Sequence, residues 1–273
     1  AIQVPTVASG TARGEAFHIV SDTPVSAYDI LPYGGAESFF PSAELLFPTS
    51  AWGTNYVVIA TPPGTHSVPG PLWASVTAAE DDTKLDVLPS VNLPQGADFP
   101  AAPAGLAASF TLSAGQFIQW ELPAGSTDTS GTVFLSSKPV AVSAGNRFFR
   151  VQPTPAPGGE ATHQQILPVS ALASEYVAAP FETRRKDLLP ENIRYRIVGV
   201  ANGTKLSFDP PVAGAPAEVE QGMVADFQST EPFRVTSQDA AHPFSIAQIM
   251  DTCNIAGGTR EGATAQNNFG LNL

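Results

Sequence analysis

The sequence predicts an all-β protein. Three observations carry that reading: helical periodicity is nearly absent, short β-branched and aromatic runs recur throughout, and 23 glycines and 26 prolines punctuate them. Charged residues are only 14% of the 273, below the roughly 25% usual in globular domains, whereas 43% are hydrophobic. A sizeable core is therefore available, and wholesale disorder is excluded.

In chain order the expected strands are Ala16–Ser21, Pro24–Ile30, Ala43–Phe47, Asn55–Ala60, Ser75–Glu80, Lys84–Leu88, Ser109–Leu112 and Gln116–Leu122. Thr132–Ser137, Pro139–Gly145, Gln164–Pro168, Glu175–Ala179, Arg194–Val200 and Lys205–Asp209 follow. The series closes with Ala217–Glu220, Met223–Gln228, Phe233–Ser237 and Pro243–Ile249, and Ile2–Ala8 and Asn268–Leu273 supply terminal strands. Asp81-Asp82, Ala114-Gly115 and Asn202-Gly203 are tight-turn dipeptides and read as hairpins.

The chain repeats itself. Leu45–Val58 matches Gln165–Ala178 at an offset of 120, with Pro48, Ser50, Ala51, Tyr56 and Val57 returning as Pro168, Ser170, Ala171, Tyr176 and Val177. Val76–Pro89 matches Ile197–Pro210, so that Thr83-Lys84-Leu85 becomes Thr204-Lys205-Leu206. A Pro-centred element occurs around Pro24, Pro139 and Pro243. Residues 1–273 thus read as a single repeat-built domain: repeat one over about 17–131, repeat two over about 132–236, and the start of a third over 237–273. Short turns between successive strands read as a meander. Meanders repeated radially favour a β-propeller or propeller-like arc of about five four-stranded blades, with tandem β-sandwiches as the alternative.

Net charge is −12, which disfavours nucleic acid and anionic membrane surfaces as partners. No apolar run is long enough to span a membrane as a helix. Cys253 is the single cysteine, so no internal disulfide forms. The opening Ala1-Ile2-Gln3-Val4 is what a processed or excised chain would show.

At the repeat motifs the sequence resembles the N-terminal domain of the IgG-Fc-binding protein family, including its bacterial relatives. The matching signatures are Ser21-Asp22-x-Pro24-Val25-x-Ala27-Tyr28, Pro48-Thr49-Ser50-Ala51-Trp52-Gly53-Thr54-x-Tyr56-Val57 and Ala78-Ala79-Glu80-Asp81-Asp82-Thr83. They continue through Leu112-x-Ala114-Gly115, Ser136-Ser137-Lys138-Pro139-Val140-Ala141-Val142, His163-Gln164-Gln165-Ile166-Leu167-Pro168 and Ala247-Gln248-Ile249, in the family's order over about residues 17–250. The resemblance implies an extracellular, modular protein of mucus or bacterial surfaces, linked to binding and adhesion. It does not imply an IgG ligand. Cysteines that often flank the segment before the His163 motif in the family are missing, and the chain stops where relatives continue into a third repeat.

No catalytic, cofactor or metal signature is present. His18, His66, His163 and His242 have no metal-ligand spacing, and Cys253 has no nearby histidine. Glu80, Glu175, Asp226 and Asp251 are the carboxylates weighed for glycoside chemistry, and none forms a motif. Trp52 and Tyr56 read as packing residues, because Leu172 replaces Trp52 in the second repeat. Glu80-Asp81-Asp82 reads as turn chemistry and not a cation loop, and the turn likewise accounts for the sequon Asn202-Gly203-Thr204. Arg184-Arg185-Lys186 is a basic cluster that reads as a solvated loop. The expected function is a non-catalytic extracellular or cell-surface binding module for a protein or glycan. Pro62–Pro71 and Pro153–Ala161 are its candidate contact loops. Two alternatives remain: a filament subunit self-associating through unpaired strand edges, and a propeller-type carbohydrate-active enzyme.

Overall fold

A computed structural model describes residues 10–31, 42–64, 71–123, 125–149, 160–250, 258–260 and 268–271. The first part of the chain forms β1 (Ala12–Glu15), β2 (Ala27–Leu31), β3 (Ser42–Leu46), β4 (Gly53–Val57), β5 (Leu72–Ala78), β6 (Thr83–Leu88), β7 (Ala108–Leu112), β8 (Gln116–Glu121) and β9 (Val133–Phe149). The second part forms β10 (Glu160–Ile166), β11 (Glu175–Ala178), β12 (Ile193–Gly199), β13 (Thr204–Asp209), β14 (Glu218–Val219), β15 (Val224–Ser229), β16 (Phe233–Ser237), β17 (Phe244–Met250) and β18 (Asn268–Leu271). The fold is all-β with several antiparallel sheets, as the composition and turn pattern imply.

The largest sheet runs β1-β8-β5-β9-β6-β7, with β4 and β10 also on β9, and curls into a half-barrel arc. Its hub is the 17-residue β9. The first half of β9 pairs with β4 and β6, the second with β5 and β10. Two strands were expected here, because Pro139 interrupts the run. The ladder to β6 ends at Ser136 and that to β5 begins at Val140. Pro139, lacking an N–H, occupies the gap between ladders, where no donor is required.

The second part forms two four-stranded sheets, β11-β16-β13-β14 and β15-β12-β17-β18. A separate β2-β3 pair lies beside β10. Among the described residues, most neighbours in these sheets are not consecutive in sequence, so the expected meander does not occur. The turns at Asp81-Asp82, Ala114-Gly115 and Asn202-Gly203 are not hairpins: β5 and β6, β7 and β8, and β12 and β13 do not pair with each other. The turn chemistry itself holds, with positive φ at Asp82 (55°), Gly115 (76°) and Gly203 (66°). Residues 16–21, expected as a strand, have no regular secondary structure, and β1 precedes them. Ile2–Ala8 lies outside the described residues.

Period-two burial builds the cores. β5 and β6 bury every second side chain. In the first core Trp120 stacks on Phe134 at 5.9 Å and meets Phe99 and Phe110 edge-on. The second core gathers Tyr195, Phe227 and Phe233. β12 and β17 serve both: Tyr195, Ile197, Phe244 and Ile246 face the second core, while Val198, Ala247 and Ile249 face the first. Each of these large side chains contributes roughly 1.5–3 kcal/mol on burial.

Candidate functional site

A groove opens between the segment after β4 and the strands β12, β15 and β17. Pro62 and Pro63, at the root of the candidate loop Pro62–Pro71, form one wall. Arg194, Asp226, Gln228 and Ile249 lie opposite, around a cavity of about 320 Å³. That volume sits at the lower end of small-ligand sites. Arg196, buried and two residues from Arg194 on β12, holds Asp226 of this lining. Its guanidinium donates to Asp226 at 2.7 Å on one edge, and to Asp128 and the Ala60 carbonyl at 2.8 and 2.9 Å on the other. Most of the Pro62–Pro71 loop (65–70) and of Pro153–Ala161 (153–159) lies outside the described residues.

A second constellation was not foreseen from spacing. Asp29 on β2 and Glu44 on β3 are direct cross-strand partners. His163 on β10 faces them, its Nε2 3.6 Å from the Asp29 carboxylate. One potential ligand atom from each of the three lies within 4.8 Å of the others. Glu44 is 5% exposed and His163 3%. The Glu44 Oε2 and both His163 ring nitrogens have no hydrogen-bond partner. Burial, reinforced by Asp29, pushes the Glu44 carboxyl up to about 8, against a backbone hydrogen bond from Gln165. Burial also lowers the His163 pKa, which Asp29 partly offsets. The one sequence signal was a lone carboxylate at the centre of each of two short apolar strands, AYDIL and SAELL.

The residues weighed from sequence are dispersed. Glu80 faces Lys138 at 3.8 Å, and the Asp81 carboxylate accepts the Ala114 amide, as turn residues do. Glu175 pairs with Arg234 at 2.8 Å on the surface, and its carboxyl is lowered by that bond. Trp52 is half-buried and its indole donates to the Phe47 carbonyl. The Tyr56 hydroxyl donates to Val140 and accepts from the Gly53 amide. Asn202 accepts from the Gln221 amide. His18 is exposed, and His242 pairs with Asp239 at 2.7 Å. His66, Asp251 and Cys253 lie outside the described residues.

The basic cluster is not a solvated loop throughout. Arg184 is buried, grips Glu191 through both edges of its carboxylate and packs over Phe181 at 5.4 Å. Arg185 pairs with Asp187. The Lys186 amide donates to Gly258, and the Arg184 carbonyl accepts from the Arg260 amide. The segment is a clasp for the chain near residue 259.

Comparison with curated proteins and with solved structures returned no match. A family model described as IgGFc binding protein matches residues 42–269, beginning at β3 and leaving the Ser21–Tyr28 motif before its start. The family match supports a non-enzymatic function. With most of its length matched, the chain belongs to the IgGFc binding protein family.

Proposed function

We propose that this chain is an extracellular binding and adhesion module that recognises a protein or a glycan through loops on a rigid β scaffold. The observation that carries the proposal is the groove at the root of the Pro62–Pro71 loop, with two prolines facing Arg194, Asp226 and Gln228. Apolar walls with a few convergent polar groups suit a sugar ring or a peptide side chain equally. Family membership supports the extracellular setting. For the scaffold we favour one repeat-built domain of tandem sandwiches over a propeller. In support, the second core draws on both β11-β16-β13-β14 and β15-β12-β17-β18.

The test is binding of the purified chain to a glycan array spotted with extracellular matrix proteins, beside a variant whose residues 62–71 are a Gly-Ser linker. A defined signal lost in the variant is expected. Undiminished binding by the variant overturns the groove as the contact site. A filament subunit is the second reading, favoured by edge strand β11, whose Val177 is 67% exposed. A blank array with concentration-dependent elution would select it.

A further inference from the structure

The β2-β3 pair is built inside out. Antiparallel pairs packed on one face normally turn apolar residues inward and polar ones to water. Here Tyr28 (61% exposed), Ile30 (39%) and Leu45 (43%) face solvent. The side turned toward β10 carries Asp29 and Glu44. Slipping the register would bury the apolar set, so something must reward carboxylates on the inner face. They are also directly opposite one another, an arrangement that destabilises a sheet when both are charged.

No side chain in the described structure neutralises them. The nearest candidate, His163, offers two buried nitrogens without hydrogen-bond partners, and the Glu44 Oε2 beside it is equally unpartnered. Buried polar atoms are nearly always satisfied, so one imidazole nitrogen and one carboxylate oxygen, both orphaned and side by side, indicate a missing partner that accepts lone pairs. A metal cation is such a partner. A proton on Glu44 would remove one charge, but its Oε2 makes no hydrogen bond to the imidazole in this arrangement.

We propose that Asp29, Glu44 and His163 form a binding site for a borderline divalent transition-metal ion of the Zn²⁺ class. The donor set of one imidazole and two carboxylates favours such an ion over Ca²⁺ or Mg²⁺, which take oxygen ligands. Tetrahedral ligands about 2.0–2.2 Å from zinc stand roughly 3.3–3.6 Å apart. The His163 Nε2 and Asp29 Oδ2 already have that spacing at 3.6 Å. The wider separations, up to 4.8 Å, close by about 1 Å through rotation of the carboxylates. Such an ion fastens the β2-β3 pair, which as a two-stranded sheet is marginal alone, to β10 of the large sheet. The site is independent of the groove and of the binding role proposed there.

The test is calorimetric titration of the EDTA-stripped 273-residue chain with Zn²⁺, and separately with Ca²⁺, alongside thermal unfolding with and without each ion. One tight Zn²⁺ per chain with a raised Tm is expected. Asp29, whose side chain is 55% exposed, gives a variant that keeps the fold, and Asp29→Asn should weaken Zn²⁺ binding at least about 100-fold. A His18→Gln/His242→Gln variant should bind as the parent does. In EDTA, Glu44→Gln should unfold at or above the parent temperature, because it replaces a buried carboxyl set directly opposite Asp29 with a neutral amide, and should no longer respond to Zn²⁺. Failure to bind Zn²⁺, Zn²⁺ binding unaffected by Asp29→Asn, or tight binding of Ca²⁺ in its place would each overturn the assignment.

Discussion

The two repeats solve the same packing problem with one detail changed. In the first, the Tyr56 hydroxyl accepts the Gly53 amide and donates to the Val140 carbonyl at 2.6 Å. In the second, Tyr176 accepts the Ala173 amide and donates to the Phe244 carbonyl at 2.9 Å. Thr83 and Thr204 each close their turn onto a carbonyl three residues back. Residues 49–51 and 169–171 are both single 3₁₀ turns after a proline. The changed detail is the strand downstream. Where the strand that receives the Tyr56 bond is the unbroken β9, the chain that receives the Tyr176 bond is split into β16 and β17 by Gln238–Pro243, a loop held by Asp239 and His242. Tyrosine corners and threonine turns therefore persist when strand continuity does not. Local polar bonds define the repeat, and strand length is free to vary.

Three sets of substitutions sharpen this comparison. The largest effect is expected at Arg196, which joins β12 and Asp226 of the second repeat to Asp128, Ser130 and Ala60 of the first. Arg196→Ala strands the Asp128 carboxylate, whose side chain is only 10% exposed, and should cost about 3–5 kcal/mol in urea unfolding. Arg196→Met with Asp128→Asn should recover most of that loss. A cost below about 1 kcal/mol would mean the ion pair does not tie the repeats together. Next come Tyr56→Phe and Tyr176→Phe, each removing the hydroxyl's two hydrogen bonds, one from an amide and one to the carbonyl of a buried residue. Each should lower stability by about 1–3 kcal/mol, and by similar amounts. Unequal losses would break the equivalence of the two corners. Smallest is the turn pair Asp82 and Gly203, both at positive φ. Asp82→Gly should gain up to about 1 kcal/mol and Gly203→Ala lose about as much, read as opposite shifts of Tm. A Cβ at Gly203 meets nothing within 4 Å, so its cost is purely conformational.

Much of the local structure was legible in the sequence. Turn dipeptides, alternating burial and the repeat of Tyr56 as Tyr176 all follow from residue-level chemistry. Partner choice was not legible. A left-handed residue at Asp82 or Gly203 reverses the chain equally well whether the next strand pairs with the last or crosses to another ladder, so arches read as hairpins. Pro139 misled for the opposite reason: a missing N–H interrupts a strand only where a neighbour needs that donor. Arg184 looked solvated because Glu191, the carboxylate that permits its burial, is brought to it by the fold of the intervening loop. Asp29, Glu44 and His163 were hidden by distance, since over a hundred residues separate the β2-β3 pair from β10. Only the register shows that both carboxylates face one histidine.

The long β9 gives the module a mechanical character. Its two halves are laddered to four strands, β4 and β6 along one stretch and β5 and β10 along the other. Tension along that strand loads many rungs in shear together, instead of peeling them one at a time. Pulled along that strand, the chain would yield first at its short edge strands, such as the four-residue β1 and β11 and the two-residue β14, and last at this spine.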